Sequence, residues 1–222
     1  RMAPLLAFLI LGCFLLGAVP FGYLVARWKG VDIRRHGSGN VGATNVGRVL
    51  GRRFGVLVLA LDAAKGAAAT VTAGWLMTRL PSLGGLSPSH RDLVLLGAGA
   101  ACVIGNILPI YLRFRGGKGV ATSLGVVLGI YPYLTWPALA VAAVWVLVVL
   151  ATRYVSLGSI AAAGLLPPVF AAMAWWRQWS LAEHYPLLIL CLLMAAAVLI
   201  RHRGNIRRLL DGTENRIGGK DG

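Results

Sequence analysis

The chain has 222 residues, is 58% hydrophobic and 13% charged, and carries a formal net charge of +15. So apolar a balance excludes a soluble domain of this size, and it also speaks against a nucleic-acid binder, which a strongly basic chain would otherwise bring to mind. What remains is a membrane protein with cationic ends.

In chain order, the first apolar run is Pro4 to Ala26, 23 residues without a charge. It exceeds a cleaved signal peptide in length, and no small-residue cleavage site precedes the charged loop. Phe54 to Thr78 is a second crossing, interrupted only by Asp62 and Lys65, which stand three apart and so share a helix face. Ionisable groups inside a crossing are costly and are paired or functional, so this pair is either a buried strut or a substrate contact. Leu93 to Leu112 supplies 20 residues and Tyr154 to Trp176 supplies 23, each enough for a hydrocarbon core of roughly 30 Å. Gly119 to Thr152 is 34 uncharged residues. At about 51 Å of helix it is too long for one crossing, and Pro132 and Pro137 mark the break into two short helices. Tyr185 to Ile200 is the last run, short at 16.

The expected fold is therefore an all-α integral membrane protein of seven transmembrane helices, with residues 1–222 as one transmembrane domain. Gly51–Gly55 and Gly125–Gly129 are small-xxx-small pairs that let helices approach closely. Trp28, Trp75, Trp136, Trp175, Trp176 and Trp179 lie near run ends, as an aromatic belt would. Cys13, Cys102 and Cys191 all fall in apolar runs, in odd number and without metal or disulfide spacing, so they read as small buried thiols.

Seven crossings put 17 Lys and Arg on the side of the loop 27–53, the loop 113–118, the turn 152–154 and the tail 201–222, against four on the other. The positive-inside rule makes the first side cytoplasmic, with the N-terminus outside and the C-terminus in the cytoplasm. Part of this charge serves topology and attraction to anionic lipid. That does not explain why glycines and small polar residues cluster in the same segments.

The stretch Gly37 to Arg48, GSGNVGATNVGR, sets Gly37, Gly39 and Gly42 among Ser38, Asn40, Thr44 and Asn45. Glycines let several N–H groups point into one space and nest an anion, while hydroxyls, amides and the Arg48 fork add donors that fit phosphate. The loop Arg113 to Thr122 places Gly116, Gly117 and Gly119 around Lys118 just before a helix, and a helix start with a lysine beside it favours an anion. His202 and Asn205, three apart just past the last crossing, are expected to contact substrate. Asp211 and Glu214 lie in a tail that reads as solvated and receives no role.

Several decoys fail. Gly37, Gly39 and Gly42 fit G-x-G-x-x-G, with Asp62 twenty residues on. That fingerprint requires a preceding strand and a βαβ unit, whereas a charged segment leads in and Asp62 sits in an apolar helix. Lys118 lacks the glycine and hydroxyl of a Walker loop. No His is followed five positions later by Asp, as in many glycerolipid acyltransferases, and no Ser occupies a G-x-S-x-G elbow.

GSGNVGATN (37–45), DAAKG (62–66), RFRGGKGVATSLG (113–125), SLGSI (156–160) and RHRGNIRRLLDGTE (201–214) together resemble the bacterial membrane glycerol-3-phosphate acyltransferase family that uses acyl phosphate. The resemblance covers essentially the whole chain in the same order. It implies transfer of a fatty acyl group from acyl phosphate to the 1-hydroxyl of sn-glycerol 3-phosphate, giving 1-acylglycerol 3-phosphate and phosphate in phospholipid synthesis. It implies the bacterial cytoplasmic (inner) membrane, a site facing the cytoplasm and membrane lipids as surroundings. It implies no cofactor, no metal and no nucleic acid, and a monomer is expected. The implied catalytic residues are Ser38, Arg48, Lys118, His202 and Asn205. The implied substrate contacts are Gly39, Asn40, Gly42, Thr44, Asn45, Gly116, Gly117, Gly119, Thr122, Ser156 and Ser159. Two positions depart from the family pattern: Asn106 stands where His is usual, and Gly204 where Glu is usual. The competing readings are a transporter or binding protein for a phosphorylated metabolite, and an inactive relative that keeps the fold.

Overall fold

The structure is a computed structural model that describes residues 2–80 and 85–218; Arg1 and Lys220, counted above for topology, lie outside them. The described residues form helices and no strand: α1 (Met2–Ala18), α2 (Phe21–Trp28), α3 (Ala43–Leu50), α4 (Arg52–Arg79), α5 (Pro88–Ile107), α6 (Val120–Leu128), α7 (Thr135–Thr152), α8 (Val155–Trp176), α9 (Leu181–Arg201) and α10 (Arg203–Leu210). Six helical stretches among them are long and apolar enough to cross a membrane: Met2–Trp28, Arg52–Arg79, Pro88–Leu112, Thr135–Thr152, Val155–Trp176 and Leu181–Arg201. The protein is an integral membrane protein built as a helical bundle.

The seventh apolar segment is α6, with 9 residues. At about 1.5 Å per residue it reaches about 14 Å, half of a hydrocarbon core of roughly 30 Å. The long run breaks after Leu128, and the chain turns through Gly129 to Leu134, so Pro132 falls in the break as expected. Pro137 does not break anything. It sits in the first turn of α7, where a helix has no intrahelical use for an N–H.

The first run is also not one helix. Pro20 has no N–H and disfavours helical geometry at the residue before it, so the chain kinks between α1 and α2. The kink turns the Val19 carbonyl inward, where Lys65 Nζ on α4 donates to it at 2.9 Å. The same ammonium donates to Asn106 Oδ1 on α5 at 2.9 Å and pairs with Asp62 Oδ1 at 2.6 Å. Its side chain is 1% exposed. The ammonium thus has two neutral oxygen acceptors from two parts of the chain, and the Asp62 carboxylate beside it balances its charge.

Glycines allow the helices around this lysine to touch backbone to backbone. A side chain at Gly66 would run into the Thr122 carbonyl, and one at Gly125 into the Ala63 carbonyl, so α4 and α6 lie too close to admit even a methyl group between them. Gly17 and Gly105 bring α1 against α5 in the same way. Of the two expected glycine pairs, Gly125–Gly129 does pack, against Ala63, Ala67 and Thr70 of α4. Gly51 does not: it is the left-handed corner between α3 and α4, with φ 99°, and Gly55 packs against Gly47 instead.

At the far end of the bundle from the glycine loops, His184 Nδ1 lies 2.6 Å from the Asp92 carboxylate, both buried, with the Tyr133 ring 4.0 Å from the imidazole. The main core runs between these ends through Ala98, Cys102, Val126, Leu134, Phe170, Leu187 and Leu190. All three cysteines are free and buried.

Lys65→Met leaves the Asp62 carboxylate in the core without its cation, a change that costs about 3–5 kcal/mol. The expected result is a lower midpoint of thermal unfolding in detergent, with part of the loss recovered in the double variant Asp62→Leu/Lys65→Met.

Candidate active site

The first glycine loop is folded around Asn45. This residue sits in the first turn of α3 and is 2% exposed. Its Oδ1 accepts from Ser38 N at 2.9 Å, and its Nδ2 donates to Asn40 O at 2.8 Å and His36 O at 3.0 Å. Asn40 Oδ1 in turn accepts from Gly42 N at 2.8 Å. Gly37 and Gly39 have φ of 57° and 69°, and a side chain at Gly37 would strike the Asn45 amide. The Asn45 amide, expected to contact substrate, is therefore spent on the loop's own backbone. The loop presents Ser38, Thr44 and Arg48, and Arg48 makes no ion pair among the described residues.

The second glycine loop returns to the end of α5. Gly116 N donates to Ile107 O at 3.2 Å and Gly117 N to Asn106 O at 3.1 Å. From α9, Arg201 Nη2 reaches the Gly116 and Gly117 carbonyls at 3.2 Å each. Gly119, with φ 82°, is the left-handed N-cap of α6, and Gly119, Val120 and Ala121 at the start of that helix line the same cavity as Lys118.

The third segment comes from the C-terminal side. Lys118 Nζ donates to Asn205 Oδ1 at 2.6 Å, and Asn205 Nδ2 donates to Glu214 Oε1 at 2.6 Å. Glu214 also accepts from Ser156 Oγ at 2.8 Å and from Arg208 Nε at 2.7 Å. The tail is pinned across the bundle by Ile217 N, which donates to Arg153 O at 2.8 Å. The tail that reads as solvated in the sequence thus contains a carboxylate only 7% exposed, and Glu214 is the residue the sequence reading missed. Only Asp211 is solvated as expected, in a loose pair with Arg207 at 3.8 Å.

These three segments meet in one cavity of about 780 Å³. Ser38, Asn40, Gly42, Thr44, Asn45, Arg48, Gly117, Lys118, Gly119, Ser156, Ser159, His202 and Asn205 line it, joined by Asp62, Asn106, Arg208 and Glu214. Three expected site residues do not line it. Gly39 shapes its loop, Gly116 offers its carbonyl to Arg201, and Thr122 is fully buried where α6 meets Gly66 of α4. Ser159 lines the wall, but its hydroxyl is engaged by Trp145 Nε1 at 3.2 Å and the Val155 carbonyl at 2.9 Å. Below the polar mouth the lining turns apolar, through Leu124, Val127, Val141, Trp145, Leu166, Met194 and Val198.

The mouth has its own electrostatics. Burial lowers the Lys118 pKa to about 8, helped by Arg208, Arg201 and Arg48 and opposed by Glu214. Burial lowers His202 to about 4, with the Lys118 ammonium adding to the effect. His202 is therefore neutral near pH 7. Its Nδ1 donates to Val198 O at 2.8 Å, which leaves Nε2 as an acceptor. Burial alone would raise the Glu214 carboxyl, but the bonds from Asn205, Ser156 and Arg208 outweigh it and hold the group below its ordinary range.

A family model described as glycerol-3-phosphate acyltransferase matches residues 7–212. The chain belongs to the glycerol-3-phosphate acyltransferase family. Relatives of that name include one from Desulforamulus reducens, 41% identical over 213 residues, with 96% of this chain and 95% of the relative covered. Another, from Geotalea daltonii, is 44% identical over 208 residues, covering 93% of this chain and 95% of the relative. Among solved structures, the integral membrane glycerol 3-phosphate acyltransferase PlsY in its glycerol 3-phosphate form matches with a TM-score of 0.80 and 39% identity, over 96% of each chain. Its lysophosphatidic acid form matches at 0.77 and 38%, over 95% of this chain and 94% of that one. Family membership makes the chain an acyltransferase of glycerolipid synthesis, so the transporter reading is set aside.

Two outcomes follow for this family member's polar mouth. With Lys118 in the anion-holding role expected from the sequence, kcat/KM is expected to fall as pH rises through about 8; in Lys118→Arg the remaining activity loses that limb. Glu214→Ala strips the acceptor from buried donors at about 1–3 kcal/mol each. It is expected to lower the unfolding midpoint and raise the KM for glycerol 3-phosphate together.

Proposed function

We propose that this protein transfers a fatty acyl group from acyl phosphate to the 1-hydroxyl of sn-glycerol 3-phosphate, releasing phosphate and 1-acylglycerol 3-phosphate. The observation that carries the reading is a single cavity with a cationic mouth and an apolar interior, which suits a donor with a phosphate head and a fatty tail. The solved neighbours that carry glycerol 3-phosphate and lysophosphatidic acid support the acceptor and the product.

In this reading residues 1–222 form one transmembrane acyltransferase domain of seven crossings, the seventh made by α6 together with the turn at 129–134. The N-terminus lies outside, and the C-terminus and the cavity mouth face the cytoplasm of a bacterial inner membrane. The positive charge of the three converging segments supports that orientation. Ser38, Thr44 and Arg48 grip the phosphate of the donor, with Lys118 between the two phosphates. Gly117, Gly119 and the start of α6 cradle the phosphate of glycerol 3-phosphate. Asn205 holds Lys118 in place, and His202 Nε2 accepts a hydrogen bond from a glycerol hydroxyl.

The chemistry is then alignment and charge stabilisation. The 1-hydroxyl oxygen forms a bond to the acyl carbonyl carbon, the bond from that carbon to the phosphate oxygen breaks, and the hydroxyl proton leaves on the departing phosphate. An acyl phosphate arrives activated, so no covalent enzyme nucleophile is required. His202, with its pKa near 4, orients the hydroxyl rather than storing its proton.

Purified protein in detergent, given palmitoyl phosphate and glycerol 3-phosphate, should release phosphate only when both are present. Lys118→Ala should lower kcat/KM about a hundredfold or more, the usual loss of a charge-stabilising donor, while the thermal unfolding midpoint holds. Near-normal transfer by that variant would overturn its role. Phosphate release without glycerol 3-phosphate would overturn the acceptor.

A further inference from the structure

The apolar part of the cavity has a floor. It descends from the polar mouth between α6, α7, α8 and α9 and ends at a ring of four side chains, one from each helix: Val127, Val141, Leu166 and Met194. All four are buried. Beneath them Ala138, Phe170 and Leu190 are fully buried in the main core and line no part of the cavity. The passage therefore stops inside the bundle and does not run through to the opposite face.

The depth can be read along α8. Ser156 stands at the mouth on the Glu214 carboxylate, and Leu166 stands at the floor. The step of ten residues from one to the other rises about 15 Å along the helix. That is about half of a hydrocarbon core of roughly 30 Å, the reach of the acyl chains in one leaflet. Ala162, one turn above Leu166, and Ala195, beside Met194, keep the shaft open just above the ring. A helix surface with alanine above and leucine below gives a shaft that is wide and then blocked. Met194 adds a soft stop, since its unbranched side chain adapts to what presses on it.

The geometry points to Leu166 and Met194 as the gauge of acyl-chain length, admitting chains of about one leaflet's reach and rejecting longer ones by contact with the floor. This rests on the reading that the donor's fatty tail occupies the cavity. The gauge acts on the tail alone, because the two residues stand about two to three helical turns below the polar mouth residues Ser156 and His202 along their own stretches of chain.

The test is kcat/KM for a series of saturated acyl phosphates from decanoyl to icosanoyl, with glycerol 3-phosphate held saturating. Wild type should favour palmitoyl over icosanoyl. Leu166→Ala deepens the shaft and should raise the icosanoyl-to-palmitoyl ratio about tenfold, within what a few methylenes are worth in an apolar pocket. Ala162→Phe fills the shaft one turn higher and should lower the palmitoyl-to-decanoyl ratio by a similar factor. Each ratio is taken within one variant, so the fraction folded cancels, and Met194→Ala stands in for Leu166→Ala if the latter does not fold. Active variants with the wild-type chain profile overturn the gauge while leaving the donor reading intact. Wild type that turns over no acyl phosphate of any length overturns the donor reading, and the gauge with it.

Discussion

The structure depends on one buried ammonium. Lys65 carries a positive charge into an apolar bundle and survives there because Asp62, Asn106 and the Val19 carbonyl surround it within 2.9 Å. Each of these groups lies on a different part of the chain. The Val19 carbonyl is free to turn inward only because Pro20 breaks the first crossing, and Asn106 stands in the last turn of α5. The contact reaches the active site in two further steps. The backbone carbonyl of Asn106 accepts from Gly117 N, and Gly117 immediately precedes Lys118. A charge in the membrane interior thus fixes the position of a charge at its surface, through one side chain and one backbone bond.

At that surface the arrangement is lopsided by design of its charges. Lys118, Arg48, Arg201 and Arg208 gather around the mouth, and Glu214 is the acid that faces them. Glu214 spends its oxygens on Ser156, Asn205 and Arg208, so it steadies Asn205, and Asn205 steadies Lys118. Arg48 and Lys118 both line the cavity and make no ion pair among the described residues. Burial is the main reason that the Lys118 pKa falls to about 8, and repulsion among these cations adds to it. Burial first, and the Lys118 charge second, keep His202 neutral near pH 7.

Much of the fold was legible because long uncharged runs have few alternatives, and the glycine loops were legible because glycines, hydroxyls and arginines rarely share so short a stretch. What escaped has physical reasons. The kink at Pro20 is hidden by 23 uncharged residues, since hydropathy reports solvent and not geometry. Pro137 looks like a breaker until its position in the first turn of α7 is known. Asn45 and Thr122 have the right chemistry for substrate contacts, but the Asn45 amide folds its own loop and Thr122 is buried away from the cavity lining, which composition cannot distinguish. Glu214 lies in a segment dense with arginines, where a carboxylate reads as solvated charge balance. Its importance comes from the strap of residues 213–217 folding back on α8 and α10, a long-range contact with no local signal.

The two departures from the family pattern can be judged by what each touches. Asn106 offers Oδ1 to the Lys65 ammonium. A neutral imidazole could offer a ring nitrogen there, but a protonated one could not, and two cations would then meet in the bundle. The amide has no proton to gain near neutral pH, so in this chain the acceptor is permanent and the support beneath Gly117 does not depend on pH. Gly204 is exposed, and the atom nearest to a side chain placed there is Arg208 Nη1 at 3.6 Å. A carboxylate at 204 would compete with Glu214 for Arg208 across the outer face of α10. Without it Arg208 answers to Glu214 alone, at 2.7 Å, on the inner side where the carboxylate also holds Asn205. Both changes therefore leave the polar mouth intact, one by keeping an acceptor and the other by removing a rival.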